Sequence, residues 1–237
     1  MELFSCVGEA LRGKAAVVAG TGTNDTAASV ALTKAANDTG VDGVMGVCPY
    51  YNKPSQEGMY RHFRAIAEAT PLPVIVYNVP SRTASNLEPA TLERLTAVPN
   101  IAAVKEASGD MAQVADIMRR VPEQFAVYSG NDSDTYHIMA LGGVGVISVA
   151  SHVAGLAMKD MVQAAGAGDW DKAREIHLRL GGLFKVLFLP ASTNPAPVKA
   201  ALRLCGFEVG GLRLPLTECD DKGVAQIREV LAALGLA

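Results

Sequence analysis

The sequence has no paired cysteines. Cys6, Cys48, Cys205 and Cys219 stand far apart with no Cys-x-x-Cys among them, which argues against a disulfide frame and fits a reducing cytosol. Neither sign of charge dominates. With 21 Lys and Arg against 24 Asp and Glu, the net charge is −3, and the basic residues are scattered, so neither nucleic acid nor an anionic membrane is expected as a partner. Long apolar runs are also missing: the longest apolar region, Val144 to Met158, is broken by Ser148, Ser151 and His152, too often to span a bilayer. The start, Met1-Glu2-Leu3-Phe4, lacks the basic and apolar zones of a signal peptide. His62, His137, His152 and His177 show no ligand spacing and read as surface or satisfied core residues; no metal and no other cofactor is expected. These absences predict a soluble, cytoplasmic protein.

What is present is a long, regular pattern. The chain has 237 residues, of which 49% are hydrophobic and 5% aromatic, enough to bury a sizeable core in one large α/β domain or two small ones. Short apolar runs at Ala15–Ala19, Gly43–Val47, Pro73–Val76, Asn100–Val104, Phe125–Tyr128 and Val144–Ile147 read as strands, each followed by helical spacing. Polar and glycine residues gather where these strands end: Gly20 to Asn24, Pro49 to Pro54, Tyr77 to Thr83, Lys105 to Gly109, Ser129 to Ser133. Alternation of this kind predicts right-handed βαβ units, a parallel sheet and function at the carboxyl ends of the strands. A doubly wound open sheet is the competing architecture, but its fingerprint is absent, because Gly20-Thr21-Gly22-Thr23-Asn24-Asp25 lacks the third glycine. After Ile147 the pattern is helical only. The expectation is an α/β fold of the (β/α)₈ barrel type, here incomplete, with residues 1–150 as the catalytic part and 151–237 as a C-terminal α-helical region. Asn194 before Pro195 reads as an N-cap with proline at the first helical position.

The chemistry is expected at Lys105, where an apolar strand ends in a lysine, an acid and small residues. An amine held in a poorly hydrated place loses affinity for its proton and can attack a carbonyl carbon to give a Schiff base. The alternative is structural: Lys105 caps the strand and pairs with Glu106 or with solvent.

Four stretches then carry a resemblance: Pro49-Tyr50-Tyr51-Asn52-Lys53-Pro54-Ser55-Gln56-Glu57-Gly58, the segment Tyr77 to Thr83, Val104-Lys105-Glu106-Ala107-Ser108-Gly109, and Asn194-Pro195-Ala196-Pro197-Val198-Lys199. The chain resembles the pyruvate-dependent class I aldolases, the family of dihydrodipicolinate synthase and N-acetylneuraminate lyase, over nearly its whole length. The resemblance implies a lyase that condenses pyruvate with aspartate semialdehyde in lysine and diaminopimelate biosynthesis, as a homo-oligomer, a tetramer in the family. It implies that Lys105 forms the Schiff base, that Tyr77 passes protons, and that Tyr51 extends the proton relay across a subunit contact. Arg82 would grip the carboxylate of the aldehyde, a task suited to a planar fork of donors. Gly130 and Ile147 would line the pyruvate pocket. Asn24 and Tyr50 match two positions of the lysine-feedback site of some relatives, while Ala28 stands where a glutamate is often found; weak or no lysine inhibition is expected.

The family's barrel opens with two further strands and a Gly-Thr-Thr-Gly-Glu motif that nothing here matches. Gly20-Thr21-Gly22 belongs to the loop of the family's third strand, and Met1 to Leu11 resembles the end of its second helix. The chain is therefore expected to start inside the barrel, through a start codon placed too far downstream in preference to a degenerate copy or a fragment completed by another chain; the alternative functions are another pyruvate-dependent aldolase of the family and a catalytically inactive fragment. An open arc of six βα units would expose strand edges and inward-facing apolar residues.

Overall fold

The computed structural model describes residues 1–237. In chain order the elements are α1 (Glu2–Leu11), β1 (Val18–Gly20), α2 (Thr26–Ala36), β2 (Gly43–Val47), α3 (Gln56–Glu68), β3 (Val74–Asn78), α4 (Pro80–Thr83), α5 (Pro89–Leu95), β4 (Ile101–Glu106), α6 (Met111–Arg120), β5 (Ala126–Ser129), a 3-10 turn at Asp132–Asp134, α7 (Thr135–Ala140), β6 (Gly145–Val146), α8 (Ser151–Gly166), α9 (Trp170–Val186), α10 (Ala196–Leu204) and α11 (Asp221–Ala233). The sheet follows chain order, β1-β2-β3-β4-β5-β6. Pairing from β1 through β5 is parallel throughout. Six strands linked by helices in this order are an arc of a (β/α)₈-type barrel, the architecture expected from the alternation.

The chain divides into two compact units, one of residues 1–130 with 141–144, the other of residues 131–140 with 145–237. In the first unit the two faces of the sheet differ. Val44, Val74, Val76, Val104 and Val127 on the helix-covered face are buried, whereas Met45, Val47, Ile75, Tyr77, Lys105 and Tyr128 on the opposite face are only partly so. Gly46 shows why the covered face is tight: a Cβ there would meet Phe63 and Ile66 of α3 at 3.3 Å. Phe63 and Ile66 are fully buried, each contributing about 1.5–3 kcal/mol by leaving water. Helix starts are fixed by side-chain caps: Asp25 accepts from the Ala28 amide, Ser55 from Gly58, and Asp110 from Ala112 and Gln113, each worth about 1 kcal/mol.

The β3–β4 ladder is irregular at one point. Val74 pairs with Ile101 but Ile75 pairs with Ala103, so Ala102 has no partner across the ladder. Beyond this irregularity Tyr77 stands opposite Lys105, and Asn78 opposite Glu106.

The second unit has its own core, with Met161, Leu180, Leu183, Leu187, Ala201, Ile227 and Leu231 at or below 1% exposure. Tyr136, Trp170, His177 and Phe184 add aromatic contacts around it. His137 and His177 meet edge to face, with ring centroids 5.6 Å apart. Neither His177 Nδ1 nor Nε2 of His62 in the first unit has a hydrogen-bond partner, so these two are not the fully satisfied histidines expected.

Two local expectations are corrected. The first strand begins at Val18 rather than Ala15, because the β2 ladder starts at Gly43 opposite Val18 and offers nothing earlier to pair. Asn194 is not an N-cap: Pro195 itself caps α10, and no side chain bonds the helix start.

Candidate active site

β3 and β4 place the central pair of side chains. Strand pairing sets Tyr77 beside Lys105 on the partly open face of the sheet, and the Lys105 ammonium lies 4.1 Å from the centroid of the Tyr77 ring, a cation–π distance. The apolar body of the tyrosine thus shields the amine. Burial pushes the Tyr77 hydroxyl above the usual phenol range, an effect partly offset by the Arg82 cation. Arg82 itself is exposed, in the single-turn helix α4 that follows β3 directly.

Gly130, just past β5, closes one side of this pair. Its amide donates to the Glu106 carbonyl at 2.7 Å, and a Cβ would lie 2.6 Å from Ala107 Cβ and 3.2 Å from Lys105 Cγ. Only a glycine lets the backbone approach this closely.

Tyr51 is placed differently. It is 86% exposed, sits in the left-handed region at φ 75°, and its amide donates to the Thr83 carbonyl at the end of α4. The loop that carries it is therefore tied to the helix that carries Arg82. Ile147 follows β6 in the second unit and is partly buried. The turn after it is anchored by Asp132, whose carboxylate accepts from the Ser148 hydroxyl and from the amides of Val149 and Ala150.

Sequence reading passed over the far side of the strand tips. Glu106 is not the surface partner of Lys105: it points to the helix-covered face and is 1% exposed. Its carboxylate accepts from Asn78 Nδ2 at 3.0 Å and from the Ser108 amide at 2.7 Å. Burial raises its pKa, and hydrogen bonds from Ser108, Asn78 and Gln113 work against that rise. Asn78 continues the network, accepting from the Leu87 amide and donating to Asn86, which is bonded to Gln113. The signal available in the sequence was alternation: residues next to an inward Tyr77 and an inward Lys105 must point outward.

A (β/α)-barrel arc with an amine, a phenol and a guanidinium at the carboxyl ends of adjacent βα units defines the class, a barrel lyase able to bind a carbonyl compound covalently. Comparison with known proteins gives the family. Residues 1–234 match the model of the dihydrodipicolinate synthetase family, and the chain belongs to that family. A 4-hydroxy-tetrahydrodipicolinate synthase from Desulforamulus reducens is 50% identical over 237 residues, covering 100% of this chain and 79% of the relative. One from Moorella thermoacetica is 52% identical, covering 99% and 80%. Among solved structures, the dihydrodipicolinate synthase of Thermotoga maritima superposes with a TM-score of 0.97 at 43% identity, covering 100% of this chain and 81% of that one. That of Aquifex aeolicus gives 0.96 at 43%, covering 99% and 80%. No helix is long and apolar enough to cross a membrane.

Proposed function

We propose that the chain catalyses the 4-hydroxy-tetrahydrodipicolinate synthase reaction, the condensation of pyruvate with aspartate semialdehyde in lysine and diaminopimelate biosynthesis. The observation that carries this reading is the Lys105 ammonium held over the Tyr77 ring at 4.1 Å. In the reaction the neutral amine of Lys105 attacks the keto carbon of pyruvate, and the carbinolamine loses water to give an imine. Loss of a methyl proton from the imine yields an enamine, whose carbon attacks the aldehyde. The protonated imine is itself the electron sink, so the protein's share is orientation and proton transfer.

The roles are those that the family resemblance implies. Tyr77, adjacent to the amine, carries protons during loss of water. Arg82 holds the carboxylate of the aldehyde by a forked pair of hydrogen bonds. Gly130 leaves room for pyruvate beside Lys105, and Ile147 is carried over from the resemblance as a pyruvate-binding residue. Tyr51, with its exposed ring, completes the proton relay in a neighbouring subunit of a homotetramer. On this reading residues 1–150 form the catalytic part, residues 151–237 the helical region, and the enzyme works in the cytoplasm.

The test is to incubate the chain with pyruvate and borohydride and weigh the peptide that contains Lys105. A mass gain matching reduced pyruvate adduct supports the assignment. An unmodified peptide from folded protein overturns it.

A further inference from the structure

We infer that Glu106 is a positioning residue for the Lys105–Tyr77 pair, acting through Asn78; the inference rests on the lyase reading above. The two pairs are consecutive steps of one ladder, Tyr77 opposite Lys105 and Asn78 opposite Glu106. The reactive pair lies on one face and the Asn78–Glu106 hydrogen bond at 3.0 Å on the other. This bond joins the tips of β3 and β4 directly behind the amine.

The direction of every hydrogen bond in this network is fixed. A backbone N–H can only donate, so the Leu87 amide, 3.0 Å from Asn78 Oδ1, settles which way the Asn78 amide faces. Its Nδ2 must then be the donor toward Asn86 at 2.9 Å and toward Glu106. The Ser108 amide, 2.7 Å from the other Glu106 oxygen, is likewise a donor. Position 106 therefore needs an acceptor at both atoms, which a carboxylate supplies and an amide does not. The Glu106 main chain extends the restraint to the third strand, since its carbonyl accepts from Gly130 at 2.7 Å. One buried residue thus ties together β3, β4 and the end of β5, the three segments that surround the amine.

A glutamine at 106 keeps the shape but sets an NH₂ group against either Asn78 or Ser108, and the strand tips shift to relieve the conflict. Displacements near 1 Å at a reacting centre cost roughly 100-fold in rate. Exchanging the partners restores the pairing: in N78D/E106Q, the carboxylate introduced on β3 still accepts from the Leu87 amide, the side-chain amide introduced on β4 donates to that carboxylate while accepting from Ser108, and the side-chain amides of Asn86 and Gln113, which bond each other, turn over so that Asn86 donates to the new carboxylate.

The measurement is the rate of pyruvate capture at Lys105, trapped with borohydride and read by mass per folded molecule, at several pyruvate concentrations. For E106Q, capture is expected to slow by roughly 10- to 100-fold with the half-saturating pyruvate concentration little changed; N78D/E106Q is expected to recover most of the rate. Capture by E106Q at the wild-type rate overturns the inference, as does a double variant no faster than E106Q. Should E106Q fail to fold, the double variant decides alone: folded and competent supports the inference, whereas folded but slow, or unfolded, overturns it in favour of a purely structural role. Absence of an adduct in the unaltered chain is a separate result, which defeats the lyase reading first.

Discussion

Lys105 and Tyr77 are cross-strand partners whose side chains touch, the ammonium lying 4.1 Å from the ring centroid. On the proposed mechanism the tyrosine has two distinct tasks, its ring sheltering the amine and its hydroxyl transferring protons. Tyr77→Phe separates them. Ring and fold are retained, so thermal stability should change little, while imine formation should fall by about 10²–10⁴-fold, the usual contribution of a positioned acid or base. Because burial raises the Tyr77 pKa, the wild-type hydroxyl keeps its proton above the usual phenol range. Spectrophotometric titration of tyrosinate absorbance should therefore show one late-ionising tyrosine that is lost in the variant.

Lys105→Ala should abolish trapping by pyruvate and borohydride altogether. The protein should remain folded by circular dichroism, because the lysine is only partly buried and removing it leaves no large cavity. Adduct on any other lysine, at comparable yield, would show that the amine has been misassigned.

Arg82→Ala should separate the two substrates. Hydrogen bonds between charged groups contribute about 1.5–3 kcal/mol, so the KM for the carboxylate-bearing aldehyde should rise by roughly 10- to 100-fold. Pyruvate trapping should stay near the wild-type rate. Steady-state kinetics with each substrate varied in turn reads both quantities.

Gly130→Ala should damage fold and site together. The added methyl would lie 2.6 Å from Ala107 Cβ and 3.2 Å from Lys105 Cγ, and relieving such overpacking costs about 1–3 kcal/mol. Urea unfolding should report that loss, and trapping should weaken in the folded fraction.

The buried Glu106 carboxyl makes stability depend on pH in a direction that can be worked out. Its folded-state pKa is raised above the ordinary value of 4.5 by desolvation, so the folded form binds the proton more tightly than the unfolded form. The stabilisation is complete below 4.5 and is lost as pH rises through the raised value. Melting temperatures of the wild type minus those of E106Q, measured from pH 4 upward, should therefore fall as pH increases. A difference that grows with pH would contradict the assignment.

Much of this was legible from local pattern. Gly43–Val47 matches its element to the residue, because a short apolar run bounded by polar and glycine residues is the pattern of a buried strand. Lys105 could be singled out because a lysine ending an apolar strand is unusual. Long-range facts were not legible. That Asn78 would meet Glu106 depends on the β3–β4 register. Tyr51 could be named from its motif, but its left-handed backbone, exposed ring and amide bond to Thr83 depend on a residue 32 positions away and were not legible.

The unmatched Ala102 has a consequence beyond its own strand. Were the ladder regular, Ile75 would meet Ala102 and every later residue of β4 would move along by one, bringing Lys105 opposite Asn78 on the helix side. Because side chains alternate across a sheet, such a slip exchanges the two faces entirely. The hollow would then present the acid of Glu106, and the amine would be sealed beneath helices with no carbonyl within reach. A single surplus alanine, three residues upstream and chemically inert, determines whether this polypeptide offers an amine or an acid to whatever enters.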